Sequence, residues 1–120
     1  MKQVLLSLVF VLGLATVSYA QSATPSNRLA WDQSDATVAV AEAYTFKQYA
    51  DGSPTGTVIT GVTCTAGAVV SCSAPFGAFT PGTHTIQLTA TNAAGESVKS
   101  AVFNFTFVVV PTAPGNLRVQ

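Results

Sequence analysis

The chain has 120 residues, five basic and five acidic side chains and one histidine, and only 8% of it is charged while 48% is hydrophobic. Nucleic-acid binding needs a concentrated cationic surface that releases phosphate counterions, and so few scattered cations do not build one. No nucleic-acid partner is expected, and the surface must be made largely of Thr, Ser, Ala, Asn and Gln.

At the amino terminus Lys2 precedes an apolar run from Val4 to Val17, interrupted only by Ser7, Gly13 and Thr16. Ser18 and Ala20 then stand at the small-residue positions that a signal peptidase reads. Residues 1–20 are expected to form a signal-peptide helix cleaved before Gln21. A retained anchor would need about 20 apolar residues, and this run is shorter, with no basic cluster after it. Cleavage removes Lys2 alone among the charges, leaving Arg28, Lys47, Lys99 and Arg118 against Asp32, Asp35, Glu42, Asp51 and Glu96, so 4 − 5 = −1. The expected product is secreted, with no membrane association after cleavage.

The rest divides into one domain, residues 21–110, and a Pro-containing tail, residues 111–120. About a hundred residues is the size of a single sandwich domain. No helical stripe bounded by caps stands out after residue 20, whereas period-two alternation recurs. Strands are expected over 28–32, 43–49, 56–65, 69–74, 84–91 and 102–108. In the fifth, His84, Ile86, Leu88 and Ala90 share one face and four polar residues the other. In the last, Phe103, Phe105 and Phe107 form the face expected in the core. Asp51-Gly-Ser-Pro54 and Thr80-Pro-Gly82 are turn chemistry, and Asn92 to Ser97 should join the last two strands as a hairpin.

Cys64 and Cys72 are the only cysteines. Their surroundings, Gly61 to Ser73, are symmetric about Ala68, which sets the thiols opposite each other on a hairpin turning near Gly67. An intramolecular disulfide is expected, as a structural staple.

Leu29-Ala-Trp-Asp32, Tyr44-Thr-Phe46, Pro81-Gly-Thr83 and the run Ala90-Thr-Asn92-Ala-Ala-Gly95-Glu-Ser97 together resemble the fibronectin type III pattern over about residues 28–109. The resemblance implies an immunoglobulin-like antiparallel β-sandwich, with Trp31 as the core tryptophan of the second strand and Asn92 and Gly95 shaping the turn before the last. Two departures make a bacterial immunoglobulin-like module an equally good description. His84 stands where the family carries a corner tyrosine, and no first strand is evident between Gln21 and Asn27.

Catalytic chemistry finds no set of residues to carry it. His84 is the one candidate base for a Ser/His/acid arrangement, and its place on the face of Ile86 and Leu88 points instead to a corner-packing role with backbone hydrogen bonds. Asp32 and Asp35 fall short of the six or more oxygens calcium takes, and nothing pairs the five carboxylates. No cofactor or metal is expected. Among the aromatics, Tyr49 and Phe76 are the ones expected to be exposed and to serve a binding surface, by stacking on a glycan or seating a protein. Asn104-Phe-Thr106 is a glycosylation sequon, expected to be unused.

The expected function is that of a non-catalytic module at the cell exterior, binding a protein or glycan in adhesion or as a structural protein. The alternative is a virion or extracellular filament component. The tail bears on that choice. Pro111-Thr-Ala-Pro-Gly-Asn-Leu-Arg-Val-Gln120 has the pattern with which a fibronectin type III domain begins, placed after the last strand. Leu117 and Val119 share one face of an extended segment and are expected to fill a sandwich edge, either within the chain or in a neighbour, which would give self-association.

Overall fold

A computed structural model of the chain describes residues 21–120; the expected signal peptide lies outside the described residues. The described chain is mostly β-strand, in two sheets. In order the elements are β1 (Gln21–Ala23), β2 (Arg28–Gln33), α1 (Val38–Ala43), β3 (Thr45–Ala50), β4 (Thr57–Val58), β5 (Thr63–Thr65), β6 (Val70–Pro75), β7 (Gly82–Asn92), β8 (Gly95–Glu96) and β9 (Phe103–Phe107). One sheet runs β1-β9-β7-β3-β4, with β8 also paired to β7, and the other runs β2-β6-β5.

Period two explains how the sheets face each other. Phe46 is buried on β3, as are Ile86 on β7 and Phe105 and Phe107 on β9, while Leu29 and Cys72 are buried on the opposing sheet. Alternate residues of a strand point to opposite faces, so these form the filling between the sheets. Trp31 packs against the clusters at both ends of that filling, and its ring meets Phe46 edge-on at 5.0 Å between centroids. The two faces read from the sequence for the fifth and last expected strands are therefore in place, with Phe103 only half-buried.

Cys64 and Cys72 lie directly across the β5–β6 ladder and are joined as a disulfide, with Cα atoms 4.0 Å apart. The symmetric hairpin is what sets them opposite. On the outer side of the same sheet the Arg28 guanidinium reaches across all three strands, donating to the Ser73 and Gly61 carbonyls and to Thr63 Oγ1.

Four expectations are corrected. Residues 56–65 are not one strand: β4 pairs with β3 and β5 with β6, so the chain changes sheets between them. Gly61, at φ +71°, lies in that crossing. A helix, α1, precedes β3. Thr37 Oγ1 caps it by accepting from the Val40 N–H, and Ala41 is buried beneath it against Cys64 and Cys72. Six residues are too few to show a stripe, which is why periodicity missed it. A first strand does exist: β1 pairs with the end of β9, Ala23 opposite Phe107. Finally, that pairing is parallel, so the sheet is mixed rather than wholly antiparallel.

Candidate functional site

β2 is an edge strand. It pairs with β6 along one side, and among the described residues nothing pairs with its other side. Backbone polarity along it follows from alternation. The Cys64 N–H points away from β6, to Glu42 Oε1, so Cys64 and Cys72 form a non-hydrogen-bonded pair and Cys72 turns its backbone groups toward Trp31 of β2. Arg28 faces Pro75, which has no N–H to give. In an antiparallel ladder bonded and non-bonded pairs alternate. Leu29, Trp31 and Gln33 therefore bond to β6, and the amides of Ala30 and Asp32 face the free side.

Two clefts border that free side. The lower one, of about 460 Å³, lies between β1 and β2 and is lined by Leu29, Phe76, Phe103 and Phe105 together with polar residues such as Asn27 and Arg28. Below it the Thr24–Asn27 turn joins β1 to β2, closed by the Asn27 N–H on the Thr24 carbonyl at 3.0 Å. The upper one, of about 520 Å³, has Trp31, Tyr44, Phe46, Leu88 and Val98 among its walls and Asp32 and Asp35 at its mouth. Trp31 Nε1 is buried there without a hydrogen-bond partner. A buried indole N–H without an acceptor is uncommon in a finished interior.

The upper cleft owes its opening to two serines. From Thr91 opposite Glu96 to Ile86 opposite Phe103, β7 advances five residues and its partner seven. The two extra residues bow outward as bulges. Ser97 Oγ accepts the Ala90 N–H at 3.0 Å, and Ser100 Oγ accepts the Leu88 N–H at 2.9 Å, each hydroxyl standing in for a ladder carbonyl. The reciprocal bonds, Ser97 N to Ala90 O and Ser100 N to Leu88 O, are both 2.8 Å. Residues 97–102 are thereby held off the core, Val98 is 90% exposed, and the inner faces of Leu88 and Ala90 are left beside the cleft. In the turn before them Asn92 Oδ1 accepts the Ala94 N–H, and Gly95 takes φ +134°.

The aromatic residues singled out from sequence have different fates. Phe76 is not exposed: it is buried at 6% and packs on Phe79 and Phe105, because the chain after Pro75 turns inward across the end of the sandwich. Tyr49 is half-buried on the outer face of its sheet. Its hydroxyl donates to Glu96 Oε1, the Thr89 hydroxyl donates to the same oxygen at 2.6 Å, and Lys99 Nζ lies 4.3 Å over the ring. These donors hold the Glu96 carboxyl below its ordinary range, Thr89 contributing most, and the carboxylate in turn raises the Tyr49 hydroxyl. Leu117 and Val119 are 87% and 98% exposed, and residues 111–120 form no strand. Among the described residues the tail pairs with no strand, and the first-strand place that looked vacant in the sequence is taken by β1, paired with β9.

His84 sits at the other end of the core, its ring against Phe79 and Phe105. Its Nδ1 is 2.8 Å from Asp51 Oδ2 and its Nε2 is 2.6 Å from the Thr80 carbonyl. No serine or cysteine stands beside it in these contacts. Sequence reasoning missed Asp51 and Glu96 as partners; for Asp51 the signal available was His84, a lone polar residue on an otherwise apolar strand face, and for Glu96 there was none. Among the described residues no three His, Cys, Asp or Glu side chains cluster as metal ligands, and Asp35 is engaged by Gln33 Nε2 at 2.9 Å. No helix of the described residues is long and apolar enough to cross a membrane.

No family model matches the chain, and no curated protein matches it in sequence.

Proposed function

We propose that this protein is a secreted, non-catalytic interaction module of the immunoglobulin-like class, and that it takes an extended polypeptide on the free edge of β2. The observation that carries this is the coincidence of that unpaired edge with the two clefts beside it, each holding aromatic side chains among its walls. An extended chain laid there gains main-chain hydrogen bonds from the Ala30 and Asp32 amides and places alternate side chains into the clefts. The sheet orders, with β2 and β9 on facing sheets and Trp31 packed between them, support the immunoglobulin-like description. The disulfide supports the secreted one. A glycan is the weaker partner, since the rings that would stack a sugar are engaged: Phe76 is buried and Lys99 covers Tyr49.

An array of random-sequence decapeptides probed with residues 21–120 tests this. Bound peptides are expected to share apolar–polar alternation and to protect the Ala30 and Asp32 amides from hydrogen exchange. Ala30→Pro removes an edge amide that the β2–β6 ladder does not use, so it should keep its melting temperature and lose binding. Binding that survives Ala30→Pro, or no binding by any peptide, would remove the proposal.

A further inference from the structure

Resting on that proposal, we infer that the occupant of the β2 edge is the carboxy-terminal segment of a second copy of this chain, residues 111–120, so that copies join head to tail.

Chemistry and direction both fit this occupant. Residues 111–120 form no strand and are exposed throughout, with Leu117 and Val119 alternating about Arg118. On β2 the side chains directed inward are Leu29, Trp31 and Gln33, while Arg28, Ala30 and Asp32 are exposed. Seating Leu117 and Val119 inward therefore sets Arg118 outward, opposite Arg28, Ala30 or Asp32 according to register. Only the last pairs opposite charges, and like charges directly opposite destabilise a ladder. In that register, run antiparallel, Val119 stands opposite Trp31 and Leu117 opposite Gln33, at the apolar wall of the upper cleft. Asn116, the residue before them, has φ +50°, a bend where the segment enters the edge.

Within its own chain the tail is not seated on β2, since residues 111–120 form no strand and are exposed. The end of β9 lies beside β1, and Val108 N bonds to the Ala23 carbonyl at 2.8 Å. The tail thus leaves the domain at the end where β2 begins. An antiparallel partner of β2 has to enter at the opposite end, beside Asp32 and Gln33. A segment leaving one end of one copy and entering the other end of the next is a heterologous contact, which propagates as a filament unless the rotation closes a ring.

Sedimentation velocity and oxidative trapping of residues 21–120 test it. Asp32→Arg should raise the apparent dissociation constant for self-association about five- to tenfold, in line with losing one opposite-charge pair and gaining a like-charge one, and Asp32→Arg with Arg118→Asp should restore it. In an equimolar mixture of Asp32→Cys and Arg118→Cys in a glutathione buffer, the mixed disulfide should exceed the statistical share. Monomeric wild-type protein, a statistical mixture of disulfides, or no rescue by the charge swap would each overturn the inference. The edge proposal is tested separately: if deletion of 111–120 changes nothing while unrelated decapeptides still bind in an Ala30-dependent manner, the edge proposal stands as a docking site for another polypeptide and only the tail inference is overturned.

Discussion

His84 pairs through Nδ1 with the Asp51 carboxylate, while its Nε2 faces both the carbonyl and the hydroxyl of Thr80. Nδ1 is 2.8 Å from Asp51 Oδ2 and Nε2 is 2.6 Å from the Thr80 carbonyl, while Asp51 Oδ1 takes the Thr85 N–H at 3.0 Å. A carboxylate and a carbonyl cannot donate, so these two contacts favour the protonated ring, in line with the raised pKa of His84.

The pair fixes a pH dependence with two arms. Asp51 and then the Thr80 carbonyl raise His84 above its ordinary 6.5, and the hydrogen bond from His84, then that from Thr85, lowers Asp51 below its ordinary 3.8. A raised histidine contributes stability that is complete below 6.5 and is lost as pH rises through the folded value. A lowered carboxylate contributes stability that is complete above 3.8 and is lost as pH falls through its folded value. The melting temperature should therefore be highest between about pH 4 and 6.5 and decline on raising the pH beyond neutrality. His84→Gln should flatten the upper arm, and thermal melts from pH 4 to 9 on both proteins check this. An upper arm unchanged in the variant would show that the histidine is not its source.

Replacing both Cys64 and Cys72 by serine should lower stability by about 2–3 kcal/mol, the loop-closure value for so short a ring. Urea titration of the oxidised protein and the double variant measures it. Two free thiols in the non-reduced protein would contradict the structure directly.

Phe105 is fully buried between Phe76, Phe79, Phe103 and His84. Phe105→Ala should cost about 3–5 kcal/mol, the range for deleting a buried ring. Leu117→Ala and Val119→Ala, both in exposed residues, should leave the melting temperature of the isolated domain unchanged in the same denaturation series.

Ser100→Ala removes the acceptor of the Leu88 N–H and should cost about 0.5–1.5 kcal/mol, the net contribution of a hydrogen bond that water can reach. The local readout is faster hydrogen exchange at Leu88, with Ala90 unaffected because Ser97 still holds it. Ser97→Ala should reverse that pattern.

Gly56 has no room for a side chain. A Cβ there would lie 2.7 Å from the Tyr49 ring, which Glu96 and Lys99 hold in place. Gly56→Ala should therefore displace that ring and weaken its bond to Glu96, seen as a Tyr49 hydroxyl titrating closer to its ordinary value of 10.0.

What the sequence determined by itself was whatever is written in neighbours along the chain. The alternation of His84 to Thr91 and of Phe103 to Phe107 named the core face, because side chains of a strand point alternately to its two sides. The symmetry about Ala68 named the disulfide, because a hairpin pairs residues equidistant from its turn. Asn92 and Gly95 named their turn by conformational preference. Tertiary structure decided what depends on partners distant in the chain. Residues 56–65 read as one strand, yet two ladders with different sheets claim its two halves. Phe76 reads as an exposed ring, yet its burial is set by Phe105, 29 residues away. Glu96 and Asp51 look like ordinary turn carboxylates until β7 brings Thr89 and His84 beside them. The free edge of β2 follows from none of its own residues: a strand's period fixes which way its side chains face, but only the assembled sheets decide which of its backbone groups remain unpaired.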